Sequence, residues 1–293
     1  MPTAWHSPVM LAYRHAFHAG NHADVLKHLT LVQLLQHLNR KDKGYRVIDT
    51  HAGAGTYALG GREARLHREF DNGIGRLWNR SDLPPAVQAY VEQVRRCNDG
   101  PALRRYPGSP LLAQQLMREQ DQLRLFELHP TDHARLAGRM RGDARVQVQV
   151  ADGFTVLKAQ LPPPTRRGLL LIDPSYEVKT DYARVLGAVR EALTRFAEGM
   201  VLIWLPQVQL VEAARLPQRL KTAAGGVAPK GWLLARMTVQ APREHGLGLL
   251  GSLVFVVNPP HTLAPALSQA LPWLVQVLAA DSSVAGWVCE TGA

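Results

Sequence analysis

The 293-residue sequence lacks the features of a membrane protein, of a disulfide-bonded secreted domain and of a repeat protein. No apolar run approaches the roughly 18 residues that a membrane span needs, and the N-terminal segment has no basic stretch followed by a long apolar one. The two cysteines, Cys97 and Cys289, are far apart and neither stands in a Cys-x-x-Cys motif, which disfavours a disulfide framework and a thiolate zinc site. No repeat of fixed period and no low-complexity tract occurs. We therefore expect a compact, soluble, cytoplasmic protein. A monomer is our separate expectation for its oligomeric state.

A metal site is also disfavoured, although the sequence contains 12 histidines. His18 and His22 are four residues apart, and one face of a helix would present both side chains to a metal ion. The HExxH motif of zinc hydrolases is absent, however. We expect no metal cofactor.

Acidic residues are outnumbered by basic ones. Lysine and arginine total 34 against 24 aspartate and glutamate residues, which gives a formal net charge of +10 and a pI near 10.0. A protein this basic favours a polyanionic partner. Charge alone leaves RNA, DNA and an anionic membrane surface open.

Five short apolar runs, separated mostly by helical patterns, predict an α/β fold. The runs are YRVID (45–49), LRLFE (123–127), VQVQV (146–150), LLLID (169–173) and MVLIWL (200–205). Strands that alternate with helices pair in parallel, and buried parallel strands are continuously apolar. Two later β-rich runs, WLLARMTVQ (232–240) and LGSLVFVVN (250–258), flank a segment with Pro and Gly, which predicts an antiparallel hairpin. A mainly parallel sheet completed by a C-terminal hairpin is typical of Rossmann-like class I methyltransferases.

One segment, 56–106, does not follow this alternation. A structureless loop of this length is rare in a compact domain, and the stretch AVQAYVEQVRR (86–96) has a helical pattern. We therefore predict a small helical subdomain at 56–106, inserted into a main α/β domain formed by 1–55 and 107–293. Its arginines are candidates for contact with phosphates, although a solvated helix face has a similar composition. They are Arg62, Arg65, Arg68, Arg76, Arg80, Arg95, Arg96, Arg104 and Arg105.

An acid and a glycine-rich turn follow the first predicted strand, where Asp49 precedes THAGAG (50–55). Small residues let a ligand approach the backbone, as in nucleotide-binding loops. Read as Gly53-x-Gly55-x-x-Ala58, the turn also matches the dinucleotide fingerprint, but no strand precedes the position about 20 residues on where the ribose-binding acid should stand. A strand-to-helix turn without a ligand gives the same pattern.

Acids also follow the next two predicted strands. Glu127 ends the second strand, where a carboxylate can accept hydrogen bonds from both hydroxyls of a ribose. Asp152 follows the third strand, next to Gly153 and Phe154, and can accept from an adenine amine while the aromatic ring packs on the base. Each acid taken singly is more often a helix N-cap. Three acids at successive strand ends together predict an adenosine-bearing cofactor.

The most specific motif is Asp173-Pro174-Ser175-Tyr176, directly after the fourth predicted strand. The lone pair of an exocyclic amine is delocalised into the purine ring, so methyl transfer to that amine requires acceptors that hold the NH₂ group. Asp173 and the carbonyl oxygen of Pro174 suit this task, and the Tyr176 ring suits stacking on the base. A proline-terminated strand with a surface tyrosine is the structural alternative. Together with the other motifs, the tetrapeptide predicts S-adenosylmethionine-dependent transfer to adenine N6.

In this order the motifs resemble those of the bacterial 23S ribosomal RNA adenine-N6 methyltransferases of the RlmJ type. The resemblance covers nearly the whole chain. It consists of YRHAFHAGNHADVLKH (13–28), DTHAGAG (49–55), YPGSP (106–110), FELHP (126–130), ADGF (151–154) and LIDPSYE (171–177). It implies a Rossmann-like domain with a small inserted subdomain, S-adenosylmethionine as cofactor, 23S ribosomal RNA as partner, and no metal.

Carried over position by position, the resemblance implies a set of site residues. Asp173 is expected to be catalytic and to contact the cofactor, with Pro174 and Tyr176 beside it, and Tyr13 is expected to meet the substrate adenosine. The expected cofactor contacts are Lys27, His28, His51, Ser109, Glu127, Asp152, Gly153 and Asp173.

Two parts of the sequence fit the resemblance less closely. Ser175 replaces the second proline of the family's DPPY motif, and a less rigid loop is the expected consequence. The segment HADVLKHLTLVQLLQHL (22–38), taken without the resemblance, predicts only an amphipathic helix with structural histidines.

Three other functions fit parts of the sequence. A DNA adenine-N6 methyltransferase would use the same tetrapeptide and cofactor, but segment 56–106 is small for a sequence-specific DNA recognition domain. A non-catalytic RNA-binding protein would keep the same sheet, but the intact Asp173 and Tyr176 argue against it. An NAD-dependent oxidoreductase would use the turn at Gly53 and leave the tetrapeptide without a task. Methylation of RNA is the favoured function.

Overall fold

The predicted strands form the centre of an eight-stranded sheet in the computed structural model, which describes residues 14–242 and 248–293. The strands are β1 (Arg46–Asp49), β2 (Thr56–Ala58), β3 (Arg105–Pro107), β4 (Gln122–Phe126), β5 (Val146–Gln149), β6 (Gly168–Ile172), β7 (Met200–Gln207), β8 (Trp232–Thr238), β9 (Gly251–Val257) and β10 (Gly286–Gly292). The sheet order is β10-β8-β9-β7-β6-β1-β4-β5, and β2 pairs only with β3. The predicted α/β class is confirmed.

Strands β5, β4, β1, β6 and β7 form the parallel part of the sheet, in this order. β6 is buried along its whole length, because helices cover both faces of the sheet, and this explains its uninterrupted apolar run. The register places Asp49 of β1 beside Leu125 of β4 and Leu171 of β6. The residues that follow these three strands therefore emerge at one edge of the sheet.

The antiparallel part of the sheet contains one more strand than the sequence predicts. β9 runs antiparallel to both β7 and β8, which confirms the predicted hairpin. β10 pairs antiparallel with β8 at the edge of the sheet. Its sequence, GWVCETG, has an apolar run of only three residues, which is too short to indicate a strand by periodicity.

Helices form a layer on each face of the sheet. They are α1 (His22–Asn39), α2 (Arg62–His67), α3 (Ile74–Trp78), α4 (Pro85–Arg95), α5 (Ser109–Leu116), α6 (Pro130–Met140), α7 (Leu157–Gln160), α8 (Thr180–Arg195), α9 (Val211–Ala224) and α10 (Leu263–Leu278). One buried apolar cluster contains side chains of α1, α4, α5 and α10, and a second contains side chains of α7, α8 and α9. Across the two described ranges, no helix has the length and apolarity that a membrane span requires.

Helix α1 is not the amphipathic helix that its sequence predicts, because it is buried on nearly all sides. It packs against β9 and against α4, α5 and α10. Asn21 caps its first turn by accepting hydrogen bonds from the backbone N–H groups of residues 23 and 24. The polar residues Asp24, Lys27 and His28 are therefore inside the protein, where each needs a polar partner.

Segment 56–106 contains the helix predicted at 86–96, which forms α4. β2 and β3 pair at the two ends of the segment, with Tyr57 opposite Tyr106, and bring its entry and exit together. Ile74, Val87 and Tyr90 of this segment belong to the same buried cluster as α1. The helical character of the segment is thus observed, and its status as a separate subdomain stays a prediction.

Candidate functional site

A cavity of about 800 Å³ lies at the edge of the sheet where the parallel strands end. Its lining includes every predicted site residue that the structure describes. These are Lys27, His28, His51, Ser109, Glu127, Asp152, Gly153, Asp173, Pro174 and Tyr176. Tyr13 lies outside the described residues. Residues from six separate parts of the sequence thus meet in one cavity, and their individual roles stay predictions.

The turn after β1 is held by Glu127, which follows β4. Gly53 adopts φ +62°, a conformation that favours glycine, and its N–H donates to Glu127 Oε2 at 2.7 Å. The N–H of His129 donates to Glu127 Oε1, also at 2.7 Å. Burial raises the pKa of Glu127. Each carboxylate oxygen keeps a further lone pair, so Glu127 can still accept from a ribose.

The same turn does not meet the dinucleotide fingerprint. In that motif the glycines open a helix whose N-terminus binds the pyrophosphate. Here the residues after Gly55 form strand β2. The interpretation as an NAD-dependent oxidoreductase loses its structural basis.

Asp152 and Phe154 follow β5 and line the same cavity. Asp152 Oδ1 accepts from the N–H of Phe154 at 3.0 Å, and Asp152 also forms an ion pair with Arg184 of α8. The edge of the His51 ring faces Phe154 with the ring centroids 4.8 Å apart. Burial lowers the pKa of His51 to about 4, so its imidazole is neutral at neutral pH. The result is a wall of aromatic and polar groups of the kind that holds an adenine.

Gly153 is required by the close approach of two loops. A Cβ atom at this position would lie 1.9 Å from the carbonyl oxygen of Thr50. Only glycine fits where the loop after β5 crosses the loop after β1.

Neither Asp152 nor Glu127 is an N-cap, because α6 is capped by His129 and α7 is preceded by Val156.

Asp49 and Ser109 form a buried pair, of which Ser109 lines the cavity. The Ser109 hydroxyl donates to Asp49 Oδ2 at 2.7 Å, and the N–H of His51 donates to Oδ1 at 3.2 Å. Burial, together with the nearby charge of Asp173, raises the pKa of Asp49 to about 7. Because the Ser109 proton is already donated, its oxygen is available to accept from a ligand such as an ammonium group.

Asp173 follows β6 and takes part in a buried ionic network with α1. The Lys27 ammonium donates to Asp173 Oδ2 at 2.6 Å and lies 2.8 Å from Asp24 Oδ1. Asp24 is also held by the N–H of Gly20 at 2.8 Å and by His15 Nε2 at 2.9 Å. Asp173 Oδ1 receives no hydrogen bond from residues 14–242 or 248–293, so this oxygen remains available for a substrate.

In this network, opposite charges nearby shift the pKa values of Lys27 and Asp24 more than burial does. Burial by itself would lower the pKa of Lys27, but the carboxylates of Asp173 and Asp24 outweigh it and raise that pKa. Burial by itself would raise the pKa of Asp24, but His15 and Lys27 hold it well below its usual range. Asp24 was not among the predicted site residues. The one indication of its role in the sequence is its position three residues before Lys27 on the same helix.

The Tyr176 ring forms part of the cavity wall and is only 7% exposed. Its hydroxyl donates to the carbonyl oxygen of Trp204 at 2.7 Å, and its ring centroid lies 4.8 Å from that of Tyr182. The backbone of Tyr176 has φ +56°, a strained conformation for a residue with a side chain. Strain of this kind is concentrated at functional sites, and the role of the ring in stacking stays a prediction.

His28 faces segment 56–106 as well as the cavity. Its Nδ1 is 2.7 Å from the hydroxyl of Tyr106, which lies 2.9 Å from the hydroxyl of Tyr90. Burial lowers the pKa of His28 to about 3. The neutral ring therefore connects α1 to the segment that contains α4.

The histidine pair considered as a metal site does not share a helical face. His18 precedes the first residue of α1, which is His22, and His18 Nδ1 is 2.9 Å from Glu69 Oε1. In the described part of the chain, no three His, Cys, Asp or Glu side chains are grouped so as to hold a metal ion.

Comparison with known proteins finds relatives over nearly the whole chain. Residues 42–289 match the family model RsmJ, described as "Ribosomal RNA large subunit methyltransferase D, RlmJ". The Ribosomal RNA large subunit methyltransferase J of Escherichia coli K12 is 45% identical over 265 residues, which are 90% of this chain and 93% of that protein. The protein of the same name from Haemophilus influenzae Rd is 42% identical over 282 residues, 96% and 98% of the two chains. The crystal structure of protein LPL1258 from Legionella pneumophila matches with a TM-score of 0.85 at 32% identity, covering 94% of this chain and 98% of that one.

Proposed function

Because the chain belongs to the RsmJ family of ribosomal RNA methyltransferases, we propose that it transfers a methyl group to the N6 amine of an adenosine in 23S ribosomal RNA. Family membership establishes the Rossmann-like class I methyltransferase fold and S-adenosylmethionine as the methyl donor. The observation that carries the finer proposal is the position of Asp173 in the cavity, where Oδ2 is bound by Lys27 and Oδ1 accepts no hydrogen bond from the residues that the structure describes. We propose further that the protein acts as a monomer in the cytoplasm.

The residues around the cavity divide into two groups under this proposal. Glu127 accepts from the ribose of the cofactor, Asp152 from its adenine amine, and the Ser109 oxygen from its ammonium group. Asp173 and the Pro174 carbonyl oxygen accept from the amine of the target adenine. The cofactor supplies an electrophilic methyl group on a sulfonium.

Asp173 holds the amine in the orientation that transfer requires. Its Oδ1 and the carbonyl oxygen of Pro174 are both acceptors, and two acceptors fix the two N–H bonds so that the nitrogen lone pair is directed at the methyl group. Lys27 keeps the carboxylate in place through the 2.6 Å hydrogen bond to Oδ2. The amine becomes acidic as the N–C bond forms, so its proton can pass late to Asp173 or to water.

Helix α2 is the part of the cavity rim that we assign to RNA. Arg62, Arg65 and His67 are exposed on this short helix, and His67 also lines the cavity. Leu66, beside them, is 65% exposed, and we assign it to contact with an unstacked base. The arginines would bind phosphates beside the nucleotide that enters the cavity.

The test is methyl incorporation from labelled S-adenosylmethionine into protein-free 23S RNA, 16S RNA and duplex DNA, followed by mass analysis of the nucleosides. We expect N6-methyladenosine in 23S RNA and in neither of the other two. Asp173→Asn, which keeps the shape of the side chain, is the matched inactive control. Label in DNA would contradict the substrate assignment, and methylation at a position other than N6 would contradict the reaction.

A further inference from the structure

Arg184 of α8 contacts three groups at the end of the cavity that we assign to the cofactor adenine. Its guanidinium lies 4.3 Å from the centroid of the Phe154 ring and forms an ion pair with Asp152. It is also 3.8 Å from Asp181 Oδ1. Arg184 belongs to the lining of the cavity. None of the sequence motifs includes it.

These contacts fix both oxygens of Asp152. Oδ1 accepts the N–H of Phe154 at 3.0 Å, and Oδ2 accepts from the Arg184 guanidinium. A carboxylate has about four lone-pair positions, so both oxygens can still accept from a ligand. The two protein donors therefore fix the orientation of the Asp152 carboxylate independently of a bound adenine.

The ion pair alone would contribute little, because the Arg184 and Asp152 side chains are 40% and 30% exposed. The guanidinium, however, is also packed on the face of Phe154, so its position is determined by the ring as well as by the carboxylate. Arginine therefore couples the two groups expected to contact the adenine: the ring that packs on the base and the acid that accepts from its amine.

We infer that Arg184 is a positioning residue for the adenine of S-adenosylmethionine and that it determines how strongly the cavity distinguishes adenine from other purines. The inference rests on the proposed role of Asp152 as acceptor for the adenine amine. It adds a residue to the cofactor site that neither the motifs nor the resemblance identified. It makes no assumption about the RNA substrate.

The first experiment is calorimetric titration of the intact protein with S-adenosylhomocysteine. Arg184→Ala is expected to weaken binding about five- to tenfold, the combined loss of a partly exposed ion pair and a cation–π contact. Arg184→Lys keeps the charge but not the planar group, and should recover only part of the affinity. Arg190→Ala, also exposed on α8, is the matched control and should bind as the wild type does.

The second experiment tests recognition of the adenine edge that carries the amine. S-inosylhomocysteine has a carbonyl oxygen in place of the amine and an N1–H in place of the N1 acceptor, so the ratio of the two dissociation constants measures recognition of that edge. The ratio should fall in Arg184→Ala, and in the Asp152→Asn background the Arg184→Ala substitution should cause a smaller loss of affinity than it causes in the wild type, because only the contact with Phe154 is then removed. A thermal unfolding scan of each variant establishes that it is folded.

Three results would contradict the inference about Arg184, and each indicates a different role for its side chain. Equal weakening for both ligands would overturn the inference and leave Arg184 as a packing partner of Phe154. Tighter binding in Arg184→Ala would mean that the side chain occupies the adenine position, which also overturns it. Unchanged ligand binding with a raised KM for RNA would reassign Arg184 to the substrate. Calorimetry needs no RNA, so failure of the proposed RNA specificity would leave these readings unaffected.

Discussion

Replacing Lys27 by methionine should expose the energetic role of the buried network between α1 and Asp173. The Lys27 side chain is 5% exposed and compensates two carboxylates, Asp24 at 1% and Asp173 at 14%. Removing one partner of a buried ion pair typically costs about 3–5 kcal/mol, because the remaining charge is left uncompensated. Since Asp173 is partly exposed, we expect a loss of about 3 kcal/mol at pH 7, from the lower end of that range. The protein should remain folded, as domains are typically stable by about 5–15 kcal/mol.

The pH dependence of that loss provides the sharper test. The pKa of Lys27 is raised by folding, so its stabilising contribution is fully present below its unfolded pKa and stays constant between pH 5 and pH 8. The pKa of Asp24 is lowered, so its contribution is present above its unfolded pKa and is lost only as the pH falls through the folded value. In Lys27→Met the uncompensated carboxylates should take up protons in mild acid. The difference in stability between wild type and variant should therefore shrink from pH 7 to pH 5.

Urea denaturation at several pH values measures this difference directly, provided that the m-values agree. Lys221→Met is the matched control, because Lys221 forms an ion pair with Glu290 at 2.6 Å but the two side chains are 21% and 42% exposed. That substitution should cost less than about 1 kcal/mol and show little pH dependence. A Lys27→Met loss that is as small as the control's, or that does not change with pH, would refute the charge-compensation argument.

Three further outcomes are expected. Asp173→Ala should abolish methyl transfer while calorimetry still detects S-adenosylhomocysteine, and loss of both would make Asp173 a cofactor or structural residue. Gly153→Ala places a Cβ atom 1.9 Å from the Thr50 carbonyl oxygen, so it should lower the melting temperature and weaken cofactor binding, as measured by thermal unfolding with and without ligand. The double variant Arg62→Ala, Arg65→Ala should weaken RNA binding without affecting cofactor binding. If each arginine contacts one phosphate, the magnitude of the slope of log K for RNA binding against log salt concentration should fall by up to about 1.8. An unchanged slope would show that α2 is not part of the RNA-binding surface.

Local sequence determined the parallel strands, the hairpin of β8 and β9, and the acids at the strand ends. A run such as LLLI in β6 has no polar residue to place in solvent, so only a strand covered on both faces accommodates it. Parallel strands then bring their carboxyl ends to one edge, which is why the sequence alone places Asp49, Glu127, Asp152 and Asp173 near one site. The resemblance to a family added Lys27 and His28, which periodicity had placed on an ordinary amphipathic helix.

Tertiary structure decided what those residues contact. The burial of α1 is set by four other elements that pack around it. Its own sequence pattern therefore predicted an amphipathic helix, which is wrong, and gave no indication that Asp24 is buried beside the site. Arg184 lies in α8, and only the packing of that helix against the loop after β5 brings its guanidinium onto Phe154 and Asp152. β10 pairs with β8 through backbone hydrogen bonds, which any sequence can supply. Side-chain patterns report burial along one element, whereas contacts between elements far apart in sequence are fixed only when the chain has folded.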